Sequence, residues 1–229
     1  MKNQESENRR PVKSRTVLVF HRIAFFLVSV GLTPNMVSVL SAVFASLGAL
    51  SLILSQRADG SLAKIIFLVG TFLGIQLRLT CNLVDGLMAV EGGKKTPYGE
   101  FFNDFPDRVS DLVLILAVGL SLSQQSGQHL PMHLAWIAAV FAVLTAYIRV
   151  LGASMKAPHF FLGPMAKQHR MAMLNLALVG SLVEVLFLGY FFYSFALALV
   201  IIALGALITC VRRAAAIIRF FQASQPKKE

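Results

Sequence analysis

Apolar and polar positions divide the chain into long apolar runs separated by short polar turns. About twenty apolar residues wound as an α-helix cross the ~30 Å hydrocarbon core of a bilayer. The first such run opens at Thr33-Pro34-Asn35 and continues to about Ser55. Thr33 suits a helix N-cap and Pro34 the first helical position. A second run starts near Ile65, passes Arg78 and enters residues 82–91, where Gly92, Gly93, Lys94 and Lys95 break it. Thr96-Pro97 repeats the cap-and-proline start and predicts a third helix to about Ser123. Pro131 starts a fourth, ending near Ser154. A fifth spans residues 171–192 and a sixth residues 193–211. The expected architecture is an all-α integral membrane protein with six transmembrane helices.

Ahead of these runs stands an apolar segment, residues 17–32, broken by His21 and Arg22 and preceded by Arg9, Arg10, Lys13 and Arg15. No small-x-small cleavage pattern follows it before Thr33, so it reads as retained. Its mixed face predicts an amphipathic helix lying in the interface, with basic residues against lipid phosphates. Residues 1–32 therefore form a basic N-terminus with an interfacial helix, 33–212 a membrane domain, and 213–229 a basic tail.

Composition changes this picture only in detail. Hydrophobic residues make up 56% of the 229 and the mean hydropathy is +0.70, which excludes an ordinary soluble domain. A net charge of +10 suggests nucleic acid in a soluble protein. In a membrane protein it reflects orientation and anionic headgroups instead, so no nucleic-acid partner is expected. Arg and Lys gather at both ends, at Lys94 and Lys95, and at Lys156, Lys167 and Arg170, whereas the opposite loops carry only Arg57 and Lys64. That bias predicts cytoplasmic termini. Cys81 and Cys210 lie inside apolar runs and indicate neither a disulfide nor a metal cluster.

Against this background the acidic residues are unevenly placed. Asp85, Glu91, Glu100, Asp104, Asp107 and Asp111 fall in one short stretch, out of 11 acidic residues in the chain. Carboxylates at the end of a membrane span are costly and mark functional candidates. Asn82 and Asp85 are spaced i, i+3, and Asn103, Asp107 and Asp111 are spaced i, i+4, i+8, so each set shares a helix face. A short loop joins the two helices, which are therefore expected to be antiparallel neighbours. Oxygen atoms converging from two helices suit a hard divalent cation such as Mg2+. Gly86 and Gly99 flank the stretch, where a missing side chain lets a nucleotide approach the backbone.

The stretch resembles the signature of the CDP-alcohol phosphatidyltransferase family, D-x2-D-G-x2-A-R-x8-G-x3-D-x3-D. Asp85, Gly86, Ala89, Gly99 and Asp107 match without gaps, while Asn82, Asn103 and Val90 replace two aspartates and the arginine. This Asn/Asp/Asn/Asp form is similar to a variant that recurs among bacterial members, which implies a bacterial inner membrane. The resemblance also covers the six spans, the interfacial helix, the Thr-Pro-Asn start and the basic loop before the fifth span. It implies displacement of CMP from CDP-diacylglycerol by a small alcohol in phospholipid biosynthesis, and a homodimer. It further implies Asp107 as catalytic base and Asn82, Asp85, Asn103 and Asp107 as ligands of Mg2+ or Mn2+, as one ion or two. Thr33, Asn35, Asp85, Gly86, Ala89 and Gly99 are implied at the nucleotide, with Arg78 a candidate replacement for the missing arginine. Arg149, Lys167 and Arg170 would hold an acceptor phosphate, with glycerol 3-phosphate or another polyol phosphate favoured.

Two other functions compete. A catalytically silent relative would bind nucleotide or lipid as a regulator or scaffold. A small-solute transporter would place polar groups at midplane, whereas here they gather at one interface. The plainer readings are that the basic loop only sets topology, that His169 sits at the interface, and that Asp104 pairs with Arg108. Glu184, inside the fifth run, receives no role.

Overall fold

The computed structural model describes residues 18–90 and 96–224. The calls on Arg9, Arg10, Lys13 and Arg15, on Glu91 and residues 92–95, and on residues 225–229 lie outside these. The described residues form seven α-helices: α1 (Leu18–Ser29), α2 (Pro34–Leu54), α3 (Ser61–Val90), α4 (Gly99–Ser126), α5 (Leu130–Ser154), α6 (Lys167–Leu188) and α7 (Tyr193–Ala223). No strand occurs among the described residues. The protein is an all-α membrane protein: α2, α3, α5, α6 and α7 are long and apolar enough to cross a bilayer. The 28-residue α4 does not meet that test; its first four turns carry Glu100, Asp104, Asp107, Arg108 and Asp111. It is as long as the others, and its polar residues Asp107, Ser110 and Asp111 are buried inside the bundle rather than set toward lipid.

Local signals account for most boundaries. Thr33 caps α2 as expected, its hydroxyl accepting from Met36 N at 3.3 Å. Gly127 and Gly189 end α4 and α6 with φ of 66° and 75°, left-handed conformations that glycine adopts without steric cost. Several boundaries differ from expectation, and three of them bear on the site. Thr96 is not the cap of α4: that helix starts at Gly99 behind Tyr98, and the Thr96 hydroxyl accepts from Asn35 at 3.4 Å. The fifth long helix, α6, begins at Lys167 rather than Met171, because the polar residues 167–170 wind into it toward acidic partners on other helices. The last, α7, runs unbroken through the boundary drawn at residue 212 to Ala223, and Arg213 is buried in it.

Small residues allow the close crossings. A Cβ on Gly74 of α3 would lie 2.6 Å from Gly48 Cα and 2.8 Å from the Phe44 carbonyl oxygen of α2. The backbones therefore touch, the means by which helices associate where lipid removes the hydrophobic incentive. At the end of the bundle away from the acidic stretch, Glu184 of α6 organises the start of α7. Its Oε2 accepts from Phe192 N at 2.6 Å and Tyr193 N at 3.1 Å, and its Oε1 from Ser194 N at 2.7 Å. One carboxylate thus satisfies three N–H groups that a helix start leaves unpaired, at the positive end of the helix dipole.

Gly74→Ala should lower stability by about 1–3 kcal/mol through overpacking. Gly86→Ala, where a Cβ meets nothing within 4 Å, should leave stability unchanged or slightly higher. Thermal unfolding in detergent micelles compares the two.

Candidate functional site

On α3, Arg78, Asn82 and Asp85 are spaced four and three apart and share one face. On α4, Asn103, Asp107 and Asp111 do the same. The two helices are not packed along their length as antiparallel neighbours: α2 lies against both, and they meet directly only a little. What joins them is charge. Asp111 Oδ1 accepts from Arg78 Nη2 at 2.8 Å, and its Oδ2 from Arg170 of α6 at 2.6 Å (Nη2) and 3.2 Å (Nε). Arg170 Nη1 also donates to Thr145 Oγ1 of α5 at 3.3 Å and to the Met165 carbonyl at 2.9 Å. Arg78, Asp111 and Arg170 are at most 1% exposed. A buried carboxylate between two guanidiniums is tolerable only because its lone pairs are filled by charge-assisted bonds.

One turn nearer the membrane surface lies a looser arrangement. Asp107 forms an ion pair with Lys167, whose Nζ also donates to Asn82 Oδ1 at 3.0 Å. Asn82 Nδ2 in turn donates to the Arg78 carbonyl at 3.1 Å. Arg78 Nη2 lies 3.6 Å from Asp107 Oδ1, too far for a hydrogen bond, and that buried oxygen has no hydrogen-bond partner. Asp85, 3% exposed, accepts from Ser38 Oγ of α2 at 2.5 Å, and its other oxygen is likewise buried without a partner. At the rim, Arg149 Nη2 reaches Asp104 Oδ2 at 2.6 Å and its guanidinium stands 5.8 Å from the Phe161 ring centre. The expected Asp104–Arg108 pair is present at a longer 3.8 Å.

These groups line a cavity of about 590 Å3 that gathers Asn82, Asn103, Asp107, Arg149, Lys167 and Arg170. Asp85 stands outside its walls but within electrostatic reach of Asp107 and Lys167. Thr33, Asn35, Gly86, Ala89 and Gly99 do not line it. Asn35 instead sits beside Thr96, whose hydroxyl would be 3.4 Å from a Cβ on Gly99, and Gly86 faces open space. Two expectations change. Arg170 is bound to Asp111, Thr145 and Met165, and Arg78 is buried against Asp111 outside the cavity wall. Their guanidiniums hold the bundle together.

Sequence reasoning missed Ser38, which orients Asp85, and the cavity-lining pair Gln76 and Asn175, whose amides bond at 3.1 Å. Polar side chains inside otherwise apolar runs were the available signal. It does not identify partners on other helices.

A divalent cation was implied by the resemblance. No group of three His, Cys, Asp or Glu side chains suited to a metal occurs among the described residues. The donor set that is present consists of two buried carboxylates, each with one unpartnered oxygen, and the Asn82 carbonyl. Oxygen donors of this kind fit a single hard dication that completes its shell with water and phosphate.

No protein-family model matches the chain. Over 99 residues the chain is 30% identical to the archaetidylinositol phosphate synthase of Pyrococcus horikoshii, covering 43% of this chain and 47% of that protein. The matched region thus spans about half the length of that relative. The phosphatidylinositol phosphate synthase of Mycobacterium tuberculosis, solved with CDP-DAG bound, superposes with a TM-score of 0.69 over 88% of this chain and 94% of its own. The chain shares the fold of that synthase. The same M. tuberculosis protein in complex with manganese and citrate gives a TM-score of 0.67, covering 86% of this chain and 88% of that one. Sequence identity to the two is 21% and 22%, so the likeness is one of fold. The resemblance drawn from the signature therefore agrees with the architecture.

Arg170→Met should destabilise the protein by roughly 3–5 kcal/mol, because it strips one partner from a buried carboxylate. Arg149→Ala, at the partly exposed rim, should cost at most about 1 kcal/mol. Thermal unfolding in detergent distinguishes these outcomes.

Proposed function

We propose that the protein is a membrane enzyme transferring the phosphatidyl group of CDP-diacylglycerol to a hydroxyl of a phosphorylated polyol, with release of CMP. The observation that carries this reading is Asp107. It lies on a cavity wall at the polar end of an apolar bundle, with one buried oxygen unpartnered and the other held by Lys167. A carboxylate so placed can take the proton of an attacking hydroxyl. The acceptor oxygen then bonds to the phosphatidyl phosphorus, and the bond to CMP breaks with its electron pair leaving on the CMP phosphate. Asp85, Asp107 and Asn82 would hold a divalent Mg2+ or Mn2+, with Asn103 at the cavity edge as a further oxygen. When bound, that ion supplies charge neutralisation at the donor diphosphate.

Arg149 and Lys167, with Arg108 on the same cavity wall, are the cations available to an acceptor phosphate. The synthases named above make inositol phosphate lipids, so inositol phosphate joins glycerol 3-phosphate at the head of the acceptor panel. Gly86, facing open space, and Thr33, Asn35, Ala89 and Gly99 are assigned to the nucleotide end. The bias of Lys and Arg supports a cytoplasmic position for this end of the bundle; the reading takes α4 as the sixth crossing and, from the family resemblance alone, a homodimer as the assembly. A second reading has one observation in its favour. Asn82 and Asn103 remove two charges and Lys167 neutralises a third, as expected of a silent relative that only binds nucleotide.

Purified protein with labelled CDP-diacylglycerol, Mn2+ or Mg2+, and inositol phosphate, glycerol 3-phosphate, serine or free inositol should release CMP with a phosphorylated polyol. Asp107→Ala should lower that rate by about 10²–10⁴-fold. Nucleotide binding without CMP release from any acceptor would establish the silent reading.

A further inference from the structure

Lys167 occupies an unusual place. It is the first residue of α6, where the helix dipole disfavours a cation, yet its ammonium joins Asp107 to Asn82. Two of the oxygen-bearing side chains best placed to hold a divalent ion are thus already bridged by a cation belonging to the chain. The neighbouring cations differ in kind. Arg78 and Arg170 are fully buried and anchored on Asp111, whereas the Lys167 side chain is 25% exposed at the cavity. A lysine carries a compact charge on a flexible four-carbon stem and can move without breaking the bundle.

The charge balance gives this placement a consequence. Asp85, Asp107 and Asp111 face Arg78, Lys167 and Arg170, with the Arg108 guanidinium 3.9 Å from Asp107, so the cluster carries no net negative charge by formal count. A dication added to such a poorly solvated cluster leaves at least two positive charges uncompensated. Either the ammonium swings away from Asp107 or an anion arrives with the metal, and a diphosphate ligand in the cavity accomplishes both.

We propose that Lys167 is a built-in competitor of the divalent cation at Asp107, released onto the anionic ligand when the metal enters. It thereby makes metal and diphosphate bind as a coupled pair. The inference rests on the metal-dependent reading of the site given above. It deepens that reading by naming the residue that makes metal uptake depend on substrate. Lys167 acts on the metal through Asp107 and Asn82.

The test measures Mn2+ binding directly, by the electron paramagnetic resonance of the free ion, on the full chain in detergent with and without CDP as a soluble diphosphate. Wild type should bind Mn2+ weakly alone and on the order of tenfold or more tightly with CDP, within the usual range of site-to-site coupling. Lys167→Met and Lys167→Gln should bind Mn2+ at least about tenfold more tightly than wild type without CDP and lose most of the CDP effect. Lys167→Arg, which keeps a cation, should behave as wild type, and melting temperatures confirm that each variant is folded. If one neutral variant fails to fold, the other decides. Mn2+ affinities unchanged by both neutral substitutions overturn the proposal, as does the absence of Mn2+ binding in every form. CMP release with unaltered Mn2+ affinities would defeat this inference alone. The expected Mn2+ shifts without CMP release would defeat the enzyme reading alone.

Discussion

Burying charge in an apolar bundle is the constraint on which the rest of this structure depends. Asp111 lies at the centre of it, with Arg78 arriving from α3 and Arg170 from α6. Each of the three would be prohibitively costly to bury alone, so none can leave without the others. The triad holds together three helices that share little direct packing, and Arg170 extends it to α5 through Thr145. The polar turns of α4 are thereby drawn inward, and a helix too charged to pass as a membrane span by composition lies inside the bundle.

The same constraint explains why the cavity lies where it does. Beyond the sealed triad the charges are only partly satisfied: Asp107 and Asp85 each keep an unpartnered oxygen, and Lys167 and Arg149 are reachable from the cavity. Structural and functional charges are separated by about one helical turn, with both Asp111 oxygens filled beneath and the half-filled carboxylates of Asp107 and Asp85 above. Glu184 serves the opposite end of the bundle in a different manner, saturating the exposed amides at the start of α7. Close backbone contact at Gly48 and Gly74 supplies stiffness between these ends.

Much of the architecture was legible along the chain because lipid imposes a length and a composition on every crossing helix. The Thr33-Pro34 start of α2 and the helix ends near Ser126 and Ser154 follow from local chemistry. Thr96-Pro97 misled by the same logic: a cap motif needs free N–H groups two or three residues on, and here α4 starts later, at Gly99. The spacing of Asn82, Asp85, Asn103 and Asp107 was equally legible, since i, i+3 and i, i+4 place side chains on one helix face whatever surrounds them.

By itself the sequence determined which residues share a face, which segments can span a membrane, and that an oxygen-rich surface stands at one end of them. These properties follow from helical periodicity and from the cost of exposing polar groups to lipid. Only the tertiary structure decided which charges meet. Arg170 and Lys167 lie three residues apart on one helix, yet the first is locked on Asp111 and the second rests on Asp107 at the cavity. Ser38, far away in sequence, orients Asp85. Partners of this kind depend on the rotation and crossing of separate helices, and no local pattern encodes those.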